Sequence, residues 1–231
     1  MGVSVVLPAY NEEENIKRAV KTIESKLKKL SEKYEIIVVD DGSRDNTGKI
    51  LDGIASRTVK VIHQKNKGVG RALMAGFRQA KMSFITHNSA DLPFDESELK
   101  EIFPMFKKGA DVVVVVRKDR SANSPYRALT SWGNNLIIRT LFGVRIKDLN
   151  FVQVYRKEVI DSIRVEARDL FIPPELVIKT MHKGYKVGQY RANFYPREKG
   201  KAKYGKPRQI IATFKDQLYF WWKWKLLNRW G

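Results

Sequence analysis

Two adjacent carboxylates, Asp40 and Asp41, sit where the apolar run 34–40 ends, and Gly42 and Ser43 follow at once. A similar junction, Pro8-Ala9-Tyr10-Asn11-Glu12, closes the run 3–8. Carboxylates held at turns after buried strands can accept hydrogen bonds from a nucleobase or a ribose, and the Tyr10 ring can stack on a base. Asn11 and Asp45 are also helix-capping residues, and capping accounts for those two without a ligand. It does not account for the Asp40–Asp41 pair. Asn66-Lys67-Gly68-Val69-Gly70 opens a helical stretch. Lys67 there is placed to reach a phosphate, and the glycines let backbone approach it closely. The spacing is neither that of a P-loop nor that of a dinucleotide fingerprint. The fourth junction is Asn88-Ser89-Ala90-Asp91-Leu92-Pro93. A carboxylate at this point suits Mg²⁺ or Mn²⁺ bridging a diphosphate, because hard cations take oxygen ligands and keep several waters. Capping of the helix expected near Asp95 is the alternative use of Asp91.

The elements that must carry these junctions are legible as two periodicities. Runs rich in β-branched residues recur at 3–8, 34–40, 59–63, 83–87 and 110–117. Between them lie helical patterns: Ile16, Ala19, Val20, Ile23, Leu27 and Leu30 share one face, and 45–54, 69–80 and 95–107 read similarly. Asp95 with Glu98 three residues later predicts a capping box. Continuously apolar strands alternating with helices imply an α/β fold, a mostly parallel sheet with helices on both faces. Ligands then bind beyond the carboxyl ends of the strands, where the four junctions fall.

Composition narrows the chemistry. The 231 residues contain no cysteine, which excludes disulfides, thiolate zinc sites and a cysteine nucleophile. The three histidines (His63, His87 and His182) are scattered and show no zinc-ligand spacing. Net charge is +19. Such an excess points to polyanions, whether lipid headgroups, phosphorylated substrates or nucleic acid, with a generally lysine-rich surface as the plainer alternative. From Arg197 onward ten Lys/Arg are set against Glu198 and Asp216 alone. No leader peptide is visible, and no apolar run reaches the roughly 18 residues of a spanning helix.

After Pro207 a helix is expected. Ile210, Ile211, Phe214, Leu218, Trp221, Trp222 and Leu226 can share a broad apolar face, with Lys215, Lys223, Lys225 and Arg229 nearby. Tryptophan clustered with lysine is the composition of a helix lying in a bilayer interface. An ordinary helix packed on the core is the alternative.

The ordered set Pro-Ala-Tyr-Asn-Glu, Asp-Asp-Gly-Ser-x-Asp-x-Thr, Asn-x-Gly and Ala-Asp-Leu resembles the family-2 inverting glycosyltransferases of the GT-A fold. Within them it is most similar to dolichyl-phosphate mannose synthases and polyprenyl-phosphate sugar transferases. The resemblance continues through Arg117, Arg127 with Ser131 and Asn134, Asp148, Pro174-Glu175-Leu176 and Arg197. It implies a glycosyltransferase domain over 1–205, beyond which the basic aromatic helix over 206–231 is, from its composition, the candidate membrane-surface anchor. It further implies that Pro8, Tyr10, Glu12, Asp40, Asp41 and Lys67 bind the nucleoside and its phosphates. Ser89, Ala90 and Asp91 would lie at the metal and diphosphate, with Asp91 as the metal ligand and Arg197 on the donor diphosphate. Arg117, Arg127 and Ser131 match positions that receive the acceptor phosphate; Asp91, Arg117, Arg127 and Arg197 would form the catalytic set. The family usually carries Asp-x-Asp, where this chain has Ser89-Ala90-Asp91.

The implied reaction is inverting, metal-assisted transfer of a hexose, mannose or glucose, from a GDP- or UDP-linked donor to polyprenyl (dolichyl) phosphate, at the cytoplasmic face of an anionic membrane. Transfer to a glycan hydroxyl is the rival reaction; it needs a carboxylate base, for which Asp148 and Glu175 are the candidates. A basic nucleic-acid-binding protein is the rival outside enzymology, but no helix-turn-helix, zinc-finger or RNA-binding aromatic signature accompanies the charge, so no nucleic acid is expected.

Overall fold

The computed structural model describes residues 2–119, 125–167, 170–195 and 207–227, without the side chains of 125–131, 207–212, 226 and 227. The five β-branched runs form strands within two residues of their expected bounds: β1 (Gly2–Ala9), β2 (Lys33–Asp40), β3 (Val59–His63), β4 (Phe84–His87) and β5 (Val112–Arg117). Two further strands, β6 (Gln153–Arg156) and β7 (Val187–Ala192), complete a seven-stranded sheet of order β3-β2-β1-β4-β6-β5-β7. β6 lies antiparallel between β4 and β5, and every other pairing is parallel. Neither late strand has an apolar run to announce it; Gln153-Val154-Tyr155-Arg156 is short and half polar.

Alternation along each strand divides the core into two layers. Val3, Val5, Leu7, Ile36 and Val38 face α1 (Ile16–Leu30) and α4 (Leu99–Lys107), whereas Val6, Ile37, Val39 and Ile85 face α3 (Val69–Gln79) and the helices that follow β5. Burial on both faces is why these strands read as unbroken hydrophobic runs. The apolar face predicted for α1 is the buried one, with Leu30 packed at its edge. α2 (Thr47–Asp52) is shorter than the pattern at 45–54.

The capping box forms by half. Asp95 accepts from the Ser97 amide at 2.8 Å, but Glu98 accepts from the Tyr190 hydroxyl at 3.0 Å, and a 3₁₀ turn (Glu96–Glu98) precedes α4.

The second layer is completed by α5 (Pro125–Phe142), α6 (Lys157–Ser162), α7 (Ile172–His182) and α8 (Pro207–Leu227). Phe220 on α8 is 6% exposed and packs against Phe142 and Phe171, while Trp221 and Trp224 lie against the same cluster. Gln217 donates to Asn134 on α5 at 2.6 Å, and Lys223 pairs with Glu166. The opposite side of α8 leaves Phe214, Leu218, Tyr219 and Trp222 exposed. Of the expected broad apolar face, Trp221 is turned to the core and Phe214, Leu218 and Trp222 are turned away from it, while the side chains of Ile210, Ile211 and Leu226 lie outside the described residues. Among the described residues no helix is long and apolar enough to cross a membrane.

Candidate functional site

The chain leaves β1 for β2 and β3 on one side, then returns to place β4 on the other side of β1. That reversal of strand order opens a crevice beyond the carboxyl ends of β1 and β4. All four sequence junctions lie at the carboxyl ends of strands on this part of the sheet.

The first two junctions are clasped together. The Asp41 amide donates to the Ala9 carbonyl (2.8 Å), the Asn11 amide to Ser43 Oγ (2.9 Å), and the Glu12 amide to Thr47 Oγ1 (2.7 Å). Asn11 Oδ1 accepts from the Arg44 amide at 2.7 Å. Asn11 has a φ of 51° and caps no helix, because α1 begins only at Ile16. Asp45 does act at a helix start, accepting from the Thr47 amide and hydroxyl at 2.9 and 2.5 Å.

Asp41 is buried, and its carboxylate accepts from Gln64 Nε2, the Lys67 amide and the Gly68 amide at 2.7–2.9 Å. It fixes the third junction to the second. Gly42 makes the close approach possible: a Cβ there would meet the Asn66 nitrogen at 2.8 Å, and its φ is +70°. Asp40, also buried, accepts from the Ser43 amide at 3.0 Å and meets His63 Nδ1 at 3.0 Å; His63 Nε2 meets Asp52 at 2.9 Å. These bonds, that to Asp40 first, raise the His63 pKa above its ordinary value. Tyr10 is half-buried, Glu12 is buried and receives Asn15 Nδ2 at 3.1 Å, and Lys67 is exposed.

At the fourth junction Ser89 Oγ donates to Asp91 Oδ1 at 2.5 Å, and the Leu92 amide closes the turn on the Ser89 carbonyl at 2.9 Å. Ala90 is packed in the core, so only its backbone faces the loop. Asn88 supports the turn from beneath: its amide donates to the Phe94 carbonyl and to Glu96, and its oxygen accepts from the Ser89 amide at 2.9 Å. Burial pushes the Glu96 carboxyl upward in pKa.

Asp91 and Ser89 are hard oxygen donors at a partly exposed turn. They fit Mg²⁺ or Mn²⁺ only if a diphosphate and waters complete the shell, as such ions commonly arrange. Among the described residues no group of three or more His, Cys, Asp or Glu could hold a metal alone.

A pocket of about 210 Å³ adjoins this turn, with Pro8, Gly70, His87, Ser89, Phe151, Leu170 and Pro173 among its lining residues. His87 is one of its polar groups; its Nε2 lies 2.8 Å from Gln153 Oε1, and burial lowers its pKa. The sequence left His87 among scattered histidines and gave no role to Asn150, Phe151, Val152, Leu170 or Pro173. The legible signal was the place of His87, one residue before Asn88 at the end of a strand.

Arg117 is held rather than loose. Its Nε and Nη2 donate to Asp148 Oδ1 at 3.2 and 2.7 Å, its amide donates to Asp148 Oδ2 at 3.0 Å, and its guanidinium lies 5.6 and 5.4 Å from the Phe151 and Phe194 rings. Glu175 is fully buried, with its oxygens on the Glu166 and Ala167 amides and on Lys179. Neither Asp148 nor Glu175 is placed as a base for an incoming hydroxyl. Arg127 and Ser131 lie on α5 where side chains are outside the described residues, and Arg197 is outside them altogether.

Residues 4–163 match the family described as glycosyl transferase family 2. An undecaprenyl-phosphate 4-deoxy-4-formamido-L-arabinose transferase of Pseudomonas fluorescens (strain SBW25) is 33% identical over 218 residues, covering 92% of this chain and 62% of its own length. A protein of the same name from Proteus mirabilis (strain HI4320) is 34% identical over 177 residues, 74% of this chain and 54% of its own. The chain thus spans about three fifths of the length of the relatives it matches. Glucosyl-3-phosphoglycerate synthase from Mycobacterium tuberculosis, solved with Mn²⁺, uridine diphosphate and phosphoglyceric acid, superposes with a TM-score of 0.70 at 20% identity, over 94% of this chain and 78% of that one. At that identity the likeness is one of fold.

Proposed function

The chain belongs to glycosyl transferase family 2, and from that premise we propose that it moves a sugar from a nucleoside diphosphate to a polyprenyl phosphate. The observation that carries the reading is the convergence of the clasped turns and the Ser89–Asp91 turn on one crevice at the reversal of strand order. The relatives named as undecaprenyl-phosphate sugar transferases support the acceptor class.

In this reading Pro8, Tyr10, Glu12, Asp40, Asp41 and Lys67 surround the nucleoside and its phosphates, and Asp91 with Ser89 would hold Mg²⁺ or Mn²⁺. When bound there, the cation would supply charge neutralisation for the departing nucleoside diphosphate, and Arg197 would share that role. A phosphate-monoester oxygen is already anionic near neutral pH, so it attacks the anomeric carbon without a base as the bond to the nucleoside diphosphate breaks. Arg117, Arg127 and Ser131 position it. The internal pairing of Asp148 and Glu175 favours this over a glycan hydroxyl, which needs a free carboxylate. Asp148 balances part of the Arg117 charge and leaves Nη1 for an acceptor oxygen.

The exposed Phe214, Leu218 and Trp222 of α8, with a net charge of +19, suit a peripheral position on the cytoplasmic face of an anionic membrane. The donor set to test comprises GDP-mannose, UDP-glucose and the uridine-linked form of the sugar in the relatives' names. Each is incubated with Mn²⁺ and undecaprenyl or dolichyl phosphate, and label is followed into the organic phase. Label that enters no lipid with any donor, from protein that binds the corresponding nucleoside diphosphate, refutes the acceptor assignment.

A further inference from the structure

The pocket beside Ser89 holds a polar group whose tautomer the structure fixes. Gln153 is fully buried, and its Nε2 lies 2.6 Å from the Leu149 carbonyl. A carbonyl only accepts, so the amide orientation is settled and Oε1 is the atom 2.8 Å from His87 Nε2. That nitrogen must carry the hydrogen, which leaves Nδ1 of the neutral ring as an acceptor. The ring is held edge-on to Phe77, with centroids 6.1 Å apart.

The other polar groups at this end of the pocket already have partners: Asn88 bonds Phe94, Glu96 and the Ser89 amide, and Ser89 bonds Asp91. Most of the remaining lining is apolar, with Leu73, Phe151, Leu170 and Pro173 among it. At about 210 Å³ the space is below the roughly 300–1,000 Å³ of pockets for drug-sized ligands, so it admits one ring rather than a lipid chain.

Resting on the donor reading above, we propose that His87 reads a hydroxyl of the transferred sugar, accepting its hydrogen bond at Nδ1. His87 is then a specificity-determining residue, since a site built to bond a hydroxyl discriminates against the analogue that lacks it.

The test is calorimetric titration, with Mn²⁺ present, of UDP, GDP, UDP-glucose and GDP-mannose into wild type, His87→Phe and His87→Asn. Phe keeps a ring against Phe77, and Asn keeps an acceptor near the Nδ1 position. His87→Phe is expected to raise the ratio of sugar-nucleotide Kd to nucleoside-diphosphate Kd about tenfold, the scale of one lost hydrogen bond. His87→Asn is expected to restore most of it. On wild type, deoxy analogues of the bound sugar nucleotide should show the same tenfold loss at one hydroxyl. An unchanged ratio in a His87→Phe protein that still binds the nucleoside diphosphate overturns the inference and leaves the donor reading intact. Indifference of wild type to every deoxy analogue overturns it without recourse to a variant. A wild type that binds no nucleoside diphosphate removes the donor reading and this contact together.

Discussion

The two sides of α8 should respond to substitution in opposite ways. Phe220 is 6% exposed, its ring lies 5.6 Å from Phe142 and 5.5 Å from Phe171, and Lys179 Nζ sits 5.5 Å from its centroid. Truncating such a residue leaves a cavity, and Phe220→Ala should cost about 3–5 kcal/mol. The buried Lys179 keeps Glu175 at 3.0 Å and the Arg164 carbonyl at 2.6 Å, so the lost ring face adds little beyond that range. For a chain of this size each kcal/mol lowers Tm by roughly 2–4 °C, which predicts a fall on the order of 10 °C.

Trp222 is 52% exposed on the same helix. Trp222→Ser should change stability by no more than about 0.5 kcal/mol, as exposed positions generally do. It should nonetheless weaken sedimentation with anionic liposomes, because an interfacial tryptophan contributes apolar burial only when a bilayer is present. Differential scanning calorimetry and liposome co-sedimentation at low salt, run on both variants, separate the faces. A Phe220→Ala protein that melts with wild type would refute the packing account. A wild-type chain that ignores anionic liposomes, or a Trp222→Ser protein that binds them as wild type does, would refute the surface account.

Asp91→Asn should lower turnover on the order of 10²-fold while leaving nucleoside binding in place; near-normal turnover with divalent metal present removes Asp91 from the site. Ser89→Asp should tighten Mn²⁺ binding, and an unchanged metal titration means residue 89 does not face the cation. Arg117→Ala would take the guanidinium from the buried Asp148 carboxylate and cost stability as well as any acceptor contact, so Arg117→Lys is the cleaner probe. It should raise acceptor KM more than donor Kd, because a lysine cannot reproduce the fork; equal losses in both argue against acceptor contact. His63 has a raised pKa in the folded protein, so its stabilising contribution is complete below its ordinary value near 6.5 and disappears as pH rises through the raised value. The Tm difference between wild type and His63→Asn should therefore be larger at pH 6 than at pH 9, and a constant difference shows that the Asp40 and Asp52 contacts do not favour the protonated ring.

The sheet was legible wherever burial on both faces left an unbroken apolar run, and it was hidden wherever it did not. β6 is held by pairing on both edges, to β4 and β5, so Gln153 and Arg156 can occupy it and break up the apolar pattern that Val152, Val154 and Tyr155 would otherwise make. β7 alternates weakly and is an edge strand, with only β5 beside it. The site showed the same division. Asp40 and Asp41 stood out because paired acids directly after a buried strand lack an ordinary structural use, and Ser89 and Asp91 stood out by their place in the Asp-x-Asp position. His87, Phe151, Leu170 and Pro173 did not, because a pocket lining assembled from distant segments leaves no spacing to read. Asp148 and Glu175 were legible as carboxylates, but their internal bonds were not. Their partners, the Arg117 guanidinium and the Glu166 and Ala167 amides, are set by tertiary packing.

Internal bonding of this kind alters what the acidic motifs mean. Asp41 reads as a ligand-binding carboxylate, yet its oxygens already hold Gln64 and the Lys67 and Gly68 amides. Asn11, Ser43 and Thr47 likewise take part in bonds that cross between the first two turns. A crevice whose polar residues are tied to each other before any ligand arrives loses less conformational freedom on binding, and more of the contact energy then appears as affinity. The Asp41 bonds hold the start of α3 against the second turn, so Lys67 and the α3 N-terminus are set before a phosphate arrives. Loosening the clasp at a residue that touches no ligand, as in Thr47→Val, should therefore weaken nucleoside-diphosphate binding although no donor contact is removed. The Glu12 amide would lose its 2.7 Å partner. If calorimetry shows wild-type affinity in a folded Thr47→Val protein, the clasp is a feature of the fold alone and preorganisation is not its role.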